Sequence, residues 1–361
     1  MPNQYTHIVL GSSPLCLTEA ICLQLSGKKV LLIESEHAMG GSWKTIQTKK
    51  FKDVETGCHV MYRNRAAYQF MEEKLGIKMP NFSPQPLIIR HHQKANYKYT
   101  NFWDVIDVGL SVHLKKREIR TVLAYIKRAV IELADKGKFR YPDGGSKVML
   151  EKLMRKAQET GVIFKSMQVD EIYIKNQSVT LMDGSEKITA DHLIITPNTT
   201  LKQIKSDDQS FDISVAEKRS VANLFLLIEG SAIQTMSYVG VKKHKIFRLA
   251  DMTYHNKHYL DKGQRVICAQ IRQEYLQQES DAEKVKDEVV SFLKKFNLVS
   301  SNMVLKDWEL YYYDYYHRHE HFLKELPNQF MKQVQILRSH NFIISMSEIA
   351  ERWKHHLPSV K

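Results

Sequence analysis

The sequence predicts an α/β protein, and three stretches of the chain support this fold class. Residues 5–34 alternate strand, helix and strand, and both strands are mostly apolar, as in a parallel sheet buried on two faces. Residues 139–197 contain a further helix followed by strands, and residues 222–296 contain strands with a covering helix. A chain of 361 residues is long enough for two domains, each with its own core.

The opening unit has the form of a dinucleotide-binding site. An apolar strand over residues 5–10 leads into a glycine turn and a helix over residues 15–25, and the next strand, residues 29–33, ends on Glu34. The acid follows the turn by about 20 residues, the spacing at which a helix N-terminus binds a pyrophosphate and a carboxylate binds a ribose. We therefore expect cofactor contacts from Glu34 and from the turn residues Gly11, Ser12, Ser13, Pro14 and Leu15.

The glycine fingerprint of this turn is incomplete. The pattern G-x-G-x-x-G is represented here by Gly11, Ser13 and Cys16. Ser13 adds only a small side chain where the backbone approaches phosphate, and the Cys16 thiol is small enough for a helix to pack on a strand. A βαβ unit that binds no nucleotide remains open at this point.

Two glycine segments follow the acid. Residues 39–43 read MGGSW, and residues 57–59 read GCH. This order resembles the flavoprotein superfamily of amine oxidases, protoporphyrinogen oxidases and UDP-galactopyranose mutases, in which the Gly-Gly loop follows the pyrophosphate and ribityl chain and the later segment passes the isoalloxazine ring. The resemblance implies FAD as the cofactor, with contacts from Gly40, Gly41, Ser42, Trp43, Gly57 and His59.

A second block, residues 139–197, resembles the same superfamily. It contains a YP-x-GG turn, a helix over residues 147–159, a Gly-Val strand, a V-x-x-I strand at Val169, an Asp-Gly hairpin at residues 183–184 and an AD-x-I-I-T-P ending. The resemblance implies that Val169 offers its backbone to the adenine. It also implies a Rossmann-like FAD-binding domain of the glutathione-reductase type, built from residues 1–70, 138–203 and 328–361. An interleaved α+β substrate domain would comprise residues 71–137 and 204–327.

The C-terminal region departs from the superfamily pattern. Many members have a Gly-Asp pair before a helix that faces the flavin, and no such pair is present here. Ser345 and Glu348 form an S-x-x-E capping box, which predicts a helix start at this place. Its positive dipole end could still stabilise negative charge on a flavin, so Ser345 is included among the predicted cofactor contacts.

Two residues are predicted to take part in catalysis. His59 would tune the flavin or handle a substrate proton, since histidine titrates near neutral pH. A hydrogen-bonded structural histidine is the alternative. Arg248 would clamp a carboxylate or phosphate of the substrate, or it could instead pair with Asp251 in the same strand. No metal site is predicted.

The net charge of +13 favours anionic partners, and we expect a small-molecule substrate that is itself anionic. No nucleic-acid-binding signature is present. Residues 114–133 form a basic amphipathic pattern that suits either peripheral contact with an anionic membrane or packing on a neighbouring helix. The oligomeric state is not predicted.

A cytoplasmic location is expected. The first strand begins near residue 5 without a preceding apolar leader, and the four cysteines contain no C-x-x-C pair, which suits free thiols in a reducing compartment.

Together the patterns predict an FAD-dependent oxidoreductase that transfers hydride from an anionic small molecule to flavin. Two alternatives remain: a redox-inactive binding or accessory protein on the same fold, and a sugar-nucleotide enzyme similar to UDP-galactopyranose mutase. An NAD site at Glu34 is disfavoured by the Gly-Gly loop and the YP-x-GG block.

Overall fold

The structure is a computed structural model, and the residues it describes fall into several ranges. They are 3–36, 38–57, 59, 61, 64–80, 87–90, 93–96, 140–213, 217–229, 239–241, 244–255, 259, 263–276, 281–317, 327–328, 330–337 and 342–357. The predicted amphipathic stretch 114–133 lies outside them.

Eighteen strands and six α-helices are considered within these ranges. The strands are β1 (Asn3–Leu10), β2 (Val30–Glu34), β3 (Thr45–Ile46), β4 (Val54–Glu55), β5 (Leu87–Arg90), β6 (Gln93–Asn96), β7 (Ile163–Ser166), β8 (Glu171–Lys175), β9 (Ser178–Asp183), β10 (Glu186–Ile195), β11 (Gln203–Lys205), β12 (Ser210–Asp212), β13 (Glu217–Glu229), β14 (Val239–Val241), β15 (Ile246–Asp251), β16 (Gln264–Ile271), β17 (Val304–His317) and β18 (Val334–Ile336). The helices are α1 (Pro14–Leu25), α2 (Arg65–Glu73), α3 (Gly145–Thr160), α4 (Gln273–Leu276), α5 (Ala282–Lys295) and α6 (Phe342–Trp353).

A parallel layer lies at the centre of the first sheet. Its strands run in the order β7-β2-β1-β10-β18, and every neighbouring pair is parallel. The residues of β2 are all buried, as expected for a parallel strand covered on both faces. The predicted α/β class and the opening strand-helix-strand unit are therefore confirmed.

Each face of this layer has its own cover. On one face α1, α2, α3 and α6 pack on Val9, Val30 and Leu32. On the other face an antiparallel meander, β8-β9-β10, supplies the packing against Ile8 and Leu31. The meander turns at Gly184, which confirms the predicted Asp-Gly hairpin.

The second sheet is mixed and packs on its own helix. Its order is β17-β13-β16-β15-β14-β5-β6 within the described residues, antiparallel except where β14 pairs with β5. One face packs on α5 through Val285, Val289 and Leu293. The opposite face carries Phe225 and Cys268 and faces the first sheet's loops.

The two sheets are joined through residues 45–56, a segment between β2 and β7 that contains the separate two-stranded sheet β3–β4. Phe51, in the loop after β3, packs on Phe225 of β13 with ring centroids 5.7 Å apart. Asn223 Nδ2 donates a hydrogen bond of 2.8 Å to the Thr56 carbonyl. Lys50 Nζ lies 2.6 Å from an Asp307 carboxylate oxygen on β17. A groove is left between the sheets beside these contacts.

Among the described residues, no helix combines the length and the apolar character needed to cross a lipid bilayer.

The last helix is held to the first by a buried acid. Glu19 in α1 is 1% exposed, and its Oε2 accepts hydrogen bonds from Arg352 Nη2 at 2.8 Å and Trp353 Nε1 at 3.3 Å. Burial raises the pKa of Glu19, and Arg352 opposes that rise. The pair therefore fixes α6 against α1 at the cost of burying a charge.

Replacing Arg352 with Met should lower the free energy of unfolding by about 2 kcal/mol, because Glu19 loses its charged donor while staying buried. Urea denaturation monitored by circular dichroism measures this loss. Arg155→Met is the matched control, since Arg155 and Glu159 form an exposed pair 3.8 Å apart and its loss should cost no more than about 0.5 kcal/mol. Equal losses in the two variants would contradict the assignment.

Candidate functional site

The turn after β1 brings the N-terminus of α1 to the edge of the parallel layer. Gly11 has φ +99°, which a side chain rarely adopts, and its N–H donates to the Ile33 carbonyl at 2.7 Å. Ser13 is the N-cap residue and accepts from Cys16 N at 3.3 Å, with Pro14 at the first helical position. The sequence thus begins α1 at the turn that the dinucleotide motif requires.

Cys16 fills the third fingerprint position without disturbing the packing. Its thiol lies 3.7 Å from the Leu10 carbonyl and is fully buried between helix and strand. Burial raises the pKa of this thiol to about 12, so it stays protonated and acts as a small apolar group. The helix approaches the strand closely although the usual glycine is absent.

Glu34 is tied to the turn through Ser12. The Glu34 Oε2 atom accepts from Ser12 N at 2.9 Å and from Ser12 Oγ at 2.5 Å. Ser12 Oγ in turn accepts from Gly40 N at 2.8 Å. One carboxylate and one hydroxyl therefore connect the end of β2, the turn before α1 and the Gly-Gly loop, and we call these three residues the Glu34–Ser12–Gly40 network.

The second carboxylate oxygen of Glu34 has capacity to accept a further hydrogen bond. Oε1 accepts from Glu36 N at 3.0 Å, and the Ser35 hydroxyl lies 3.5 Å away, at the limit of a hydrogen bond. Glu34 is among the residues that line the groove. A ribose hydroxyl could approach this oxygen from the groove without displacing Ser12.

The Gly-Gly loop needs both glycines for different reasons. Gly40 has φ +114°, and a Cβ there would lie 2.5 Å from Leu150 Cδ1 of α3. Gly41 has φ +56°, and a Cβ there would lie 3.7 Å from Ser13 Cβ. The loop consequently lies against the N-terminus of α1, with backbone rather than side chains facing the turn.

Three aromatic rings lie next to this loop. The Trp43 and His59 rings stack with centroids 4.1 Å apart and planes 9° from parallel, and Phe342 of α6 contacts Trp43 at 4.6 Å. His59 Nε2 lies 3.1 Å from the Ser42 carbonyl. A Cβ on Gly57 would lie 2.7 Å from His59 Nε2, so only glycine lets the histidine ring fold back over the chain.

His59 is neutral at physiological pH. Burial lowers its pKa to about 4, the Ser42 carbonyl opposes this change and the Arg248 charge adds to it. Because Nε2 donates its proton to that carbonyl, the lone pair of the neutral ring is on Nδ1. The ring is half-buried and lines the groove.

The groove between the sheets has a volume of about 620 Å³ and gathers most of the predicted residues. The predicted residues that line it are Gly11, Ser12, Ser13, Pro14, Leu15, Glu34, Gly41, Ser42, Trp43, Gly57, His59, Val169 and Arg248. Gly40 does not line the groove, but its N–H donates a hydrogen bond to Ser12, which does.

Ser345 does not lie where the capping box predicted. Helix α6 begins at Phe342, so Ser345 is inside the helix, 3% exposed, and lines a separate cavity beside Arg352. Ile343 and Met346, on either side of Ser345, both pack in the core. The helix therefore begins before Ser345 rather than at it. It is Phe342, at the start of the helix, that lines the groove.

The alternative pairing of Arg248 with Asp251 is also wrong. Asp251 is 3% exposed, and its Oδ2 accepts from Arg265 Nη1 at 2.7 Å. On strand β15 the two residues are an odd number apart, so they point to opposite faces of the sheet. Arg248 is exposed and faces the groove.

Several groove residues were not predicted. Those from the segment after β10 and from the second sheet are Thr196, Pro197, Asn198, Thr199, Thr200, Val221, Phe247, Gln270 and Tyr313. The run of polar residues after a buried strand was a readable signal for the first group. For the second group the signal was Gln270, a polar residue directly after the apolar run 266–269.

Comparison with known proteins bears on the fold. No protein-family model and no curated protein sequence matches the chain. Among solved structures, reduced UDP-galactopyranose mutase matches with a TM-score of 0.65 at 13% identity, over 97% of this chain and 93% of that one. The chain shares this protein's fold.

Two further structures give the same result. Putrescine oxidase bound to putrescine matches with a TM-score of 0.63 at 12% identity, over 98% of each chain. An oxidoreductase from Methanosarcina mazei matches with a TM-score of 0.63 at 12% identity, over 96% of this chain and all of that one. The suspected resemblance to the amine oxidase and mutase superfamily is thus confirmed as a likeness of fold.

Replacing His59 with Phe should make the stability less sensitive to acid. In the unfolded chain a histidine binds a proton near pH 6.5, but folded His59 does so only near pH 4, so stability is lost as the pH falls between these values. The wild type should therefore lose about 2 kcal/mol more than the variant between pH 7 and pH 5. Urea denaturation at the two pH values measures the difference. Equal losses would show that His59 is not held neutral.

Proposed function

We propose that this protein is an FAD-dependent oxidoreductase that acts on an anionic small molecule. The observation that supports this most is the Glu34–Ser12–Gly40 network, because it holds an acid, a helix N-terminus and a glycine loop around one groove. These are the elements with which a βαβ unit binds a dinucleotide. The shared fold with putrescine oxidase supports the same proposal.

The residues of the groove fit FAD. Glu34 would hold the adenosine ribose, the first turn of α1 and the loop at Gly41 would hold the pyrophosphate, and Val169 would meet the adenine. The positive φ of Gly41 and the small Ser13 leave backbone surface, which suits close approach of phosphate. The groove volume of about 620 Å³ lies within the range of cofactor sites.

When bound, the flavin would supply an acceptor for a hydride from a substrate C–H bond. His59, Trp43 and Gly57 would lie beside its ring. A neutral His59 offers Nδ1 as a proton acceptor and avoids placing a second positive charge near Arg248. Trp43 and Phe342 would exclude water from that end of the groove.

Arg248 would select for negative charge in the substrate. It lines the groove from β15 of the second sheet, whereas the turn that would hold the phosphates, at Gly11–Ser13, belongs to the first sheet. A guanidinium presents five N–H donors in a fork that matches carboxylate and phosphate groups. The net charge of +13 would favour the arrival of such a substrate. A UDP-galactopyranose-mutase-like reaction on a sugar nucleotide is the variant of this proposal that uses the same charge.

A second candidate, a redox-inactive binding protein, is favoured by the aromatic stack. Trp43 contacts both His59 and Phe342 beside the place where a flavin ring would lie, so its ring already has aromatic partners without a flavin. Ser13 also caps α1 with its own side chain, which competes with phosphate for that donor. Either proposal is compatible with a cytosolic location, where thiols stay reduced, since Cys16, Cys22 and Cys268 are buried thiols.

The two candidates differ in the cofactor that accompanies the purified protein. The oxidoreductase should carry the absorbance bands of oxidised flavin, and FAD should be released on heating and identified by its mass. A colourless protein that also fails to bind added FAD would contradict the first candidate and support the second.

Replacing Glu34 with Gln should weaken FAD binding about tenfold, because the ribose loses a charge-assisted hydrogen bond. Titration of the protein after FAD removal, followed by flavin fluorescence, measures the dissociation constant. Glu171→Gln is the matched control, since Glu171 is exposed on β8 and pairs with Lys205. An unchanged dissociation constant in Glu34→Gln would remove Glu34 from the cofactor site.

A further inference from the structure

Two buried carboxamides lie side by side in the second sheet. Asn223 on β13 and Gln270 on β16 are directly opposite in the antiparallel register, so both project from the same face. They are 0% and 3% exposed. The next pair along this face, Phe225 and Cys268, is apolar and packs in the core.

Both carboxamides donate to one backbone carbonyl, that of Thr56, which directly follows β4. Asn223 Nδ2 lies 2.8 Å and Gln270 Nε2 lies 3.4 Å from the Thr56 carbonyl oxygen. Turning either amide would place its oxygen against this carbonyl, so the donors are assigned by the contact itself. The distances make Asn223 the stronger partner.

Thr56 passes this constraint on to the aromatic stack. Its hydroxyl donates to the Ser42 carbonyl at 3.2 Å, and His59 Nε2 shares that acceptor at 3.1 Å. Thr56 and His59 are close in sequence, with Gly57 next to Thr56. The carboxamide pair, Thr56, Ser42 and His59 therefore form one continuous set of contacts between the sheets.

The pair is a poor choice for stability alone. The Asn223 Oδ1 and Gln270 Oε1 atoms are buried and have no hydrogen-bond partner among the described residues. Buried acceptors without partners are rare in proteins, and apolar side chains would fill a sheet core without this cost. Departures of this kind are expected where position, rather than stability, is what a residue provides.

We propose that the Asn223–Gln270 pair positions Thr56 and Gly57 at the groove and thereby sets the placement of His59 against Trp43. The pair acts through Thr56 and is a positioning device rather than a catalytic one. Arg248 on β15 is directly opposite Gln270 on β16. The same position across the sheet therefore holds the carboxamide that acts on His59 through Thr56 and the guanidinium whose charge lowers the pKa of His59. Its importance for catalysis rests on the proposed function.

The test measures His59 directly in the protein as purified. The titration of the His59 Cε1–H resonance is followed by NMR in the wild type, Asn223→Leu and Gln270→Met, with the resonance assigned from His59→Phe. Loss of the clamp should release the ring toward water and raise the pKa of His59 by about 1 unit in Asn223→Leu and by less in Gln270→Met. Trp43 fluorescence should shift to longer wavelength in the same order.

Gln264→Met is the matched control, because Gln264 lies on the same strand and bonds to Glu229 at the surface. It should leave the His59 titration and the fluorescence unchanged. If Asn223→Leu does not fold, Gln270→Met decides the question, since it removes only the 3.4 Å bond.

A lowered stability with an unchanged His59 titration would overturn the proposal, because it would mean that the pair only supports the sheet. The FAD content of each variant is measured separately by absorbance. Absence of FAD from the wild type would count against the proposed function alone, since the histidine titrations of variant and wild type are compared at matched FAD content.

Discussion

The hydrogen bond between Glu34 and Ser12 is the interaction on which the rest of the site depends. It places a carboxylate at the end of β2 against the turn that begins α1, and Ser12 Oγ extends the contact to Gly40. Three separate segments within residues 12–40 thus meet at one point. Without this contact the groove would lack a defined relation between the acid, the helix N-terminus and the glycine loop.

The second sheet is connected to this site by hydrogen bonds that backbone carbonyls accept, not by charged pairs. Two carboxamides hold the Thr56 carbonyl, and Thr56 and His59 share the carbonyl of Ser42, next to the Gly-Gly loop. Hydrogen bonds to backbone carbonyls fix position strongly because the acceptor cannot rotate away. This arrangement explains how an exposed Arg248 on one sheet and a buried Glu34 on the other can line a single groove.

The sequence predicted the first half of the site well because that half is local. Gly11, Ser13 and Glu34 belong to one strand-helix-strand unit, so their spacing alone determines where they meet. Gln270 and Asn223 come together only through strand register, which no local pattern encodes. For Ser345 a local pattern was present but did not determine the structure. The capping box predicted a helix start there, but Ile343 packs in the core and α6 begins earlier, at Phe342. Asp251 likewise forms its ion pair with Arg265 on the neighbouring strand, not with Arg248 on its own strand.

The same limits apply to function. The fold is shared with an oxidase and with a mutase, so the architecture alone does not define the reaction. The reaction must therefore be argued from this chain's own groove residues, above all Glu34, His59 and Arg248. A crystal structure of the protein grown with FAD tests the account most directly. The account predicts ribose hydroxyls at about 3 Å from Glu34 Oε1, with Ser12 still bound to Oε2. FAD bound elsewhere, or a ribose that does not contact Glu34, would contradict it.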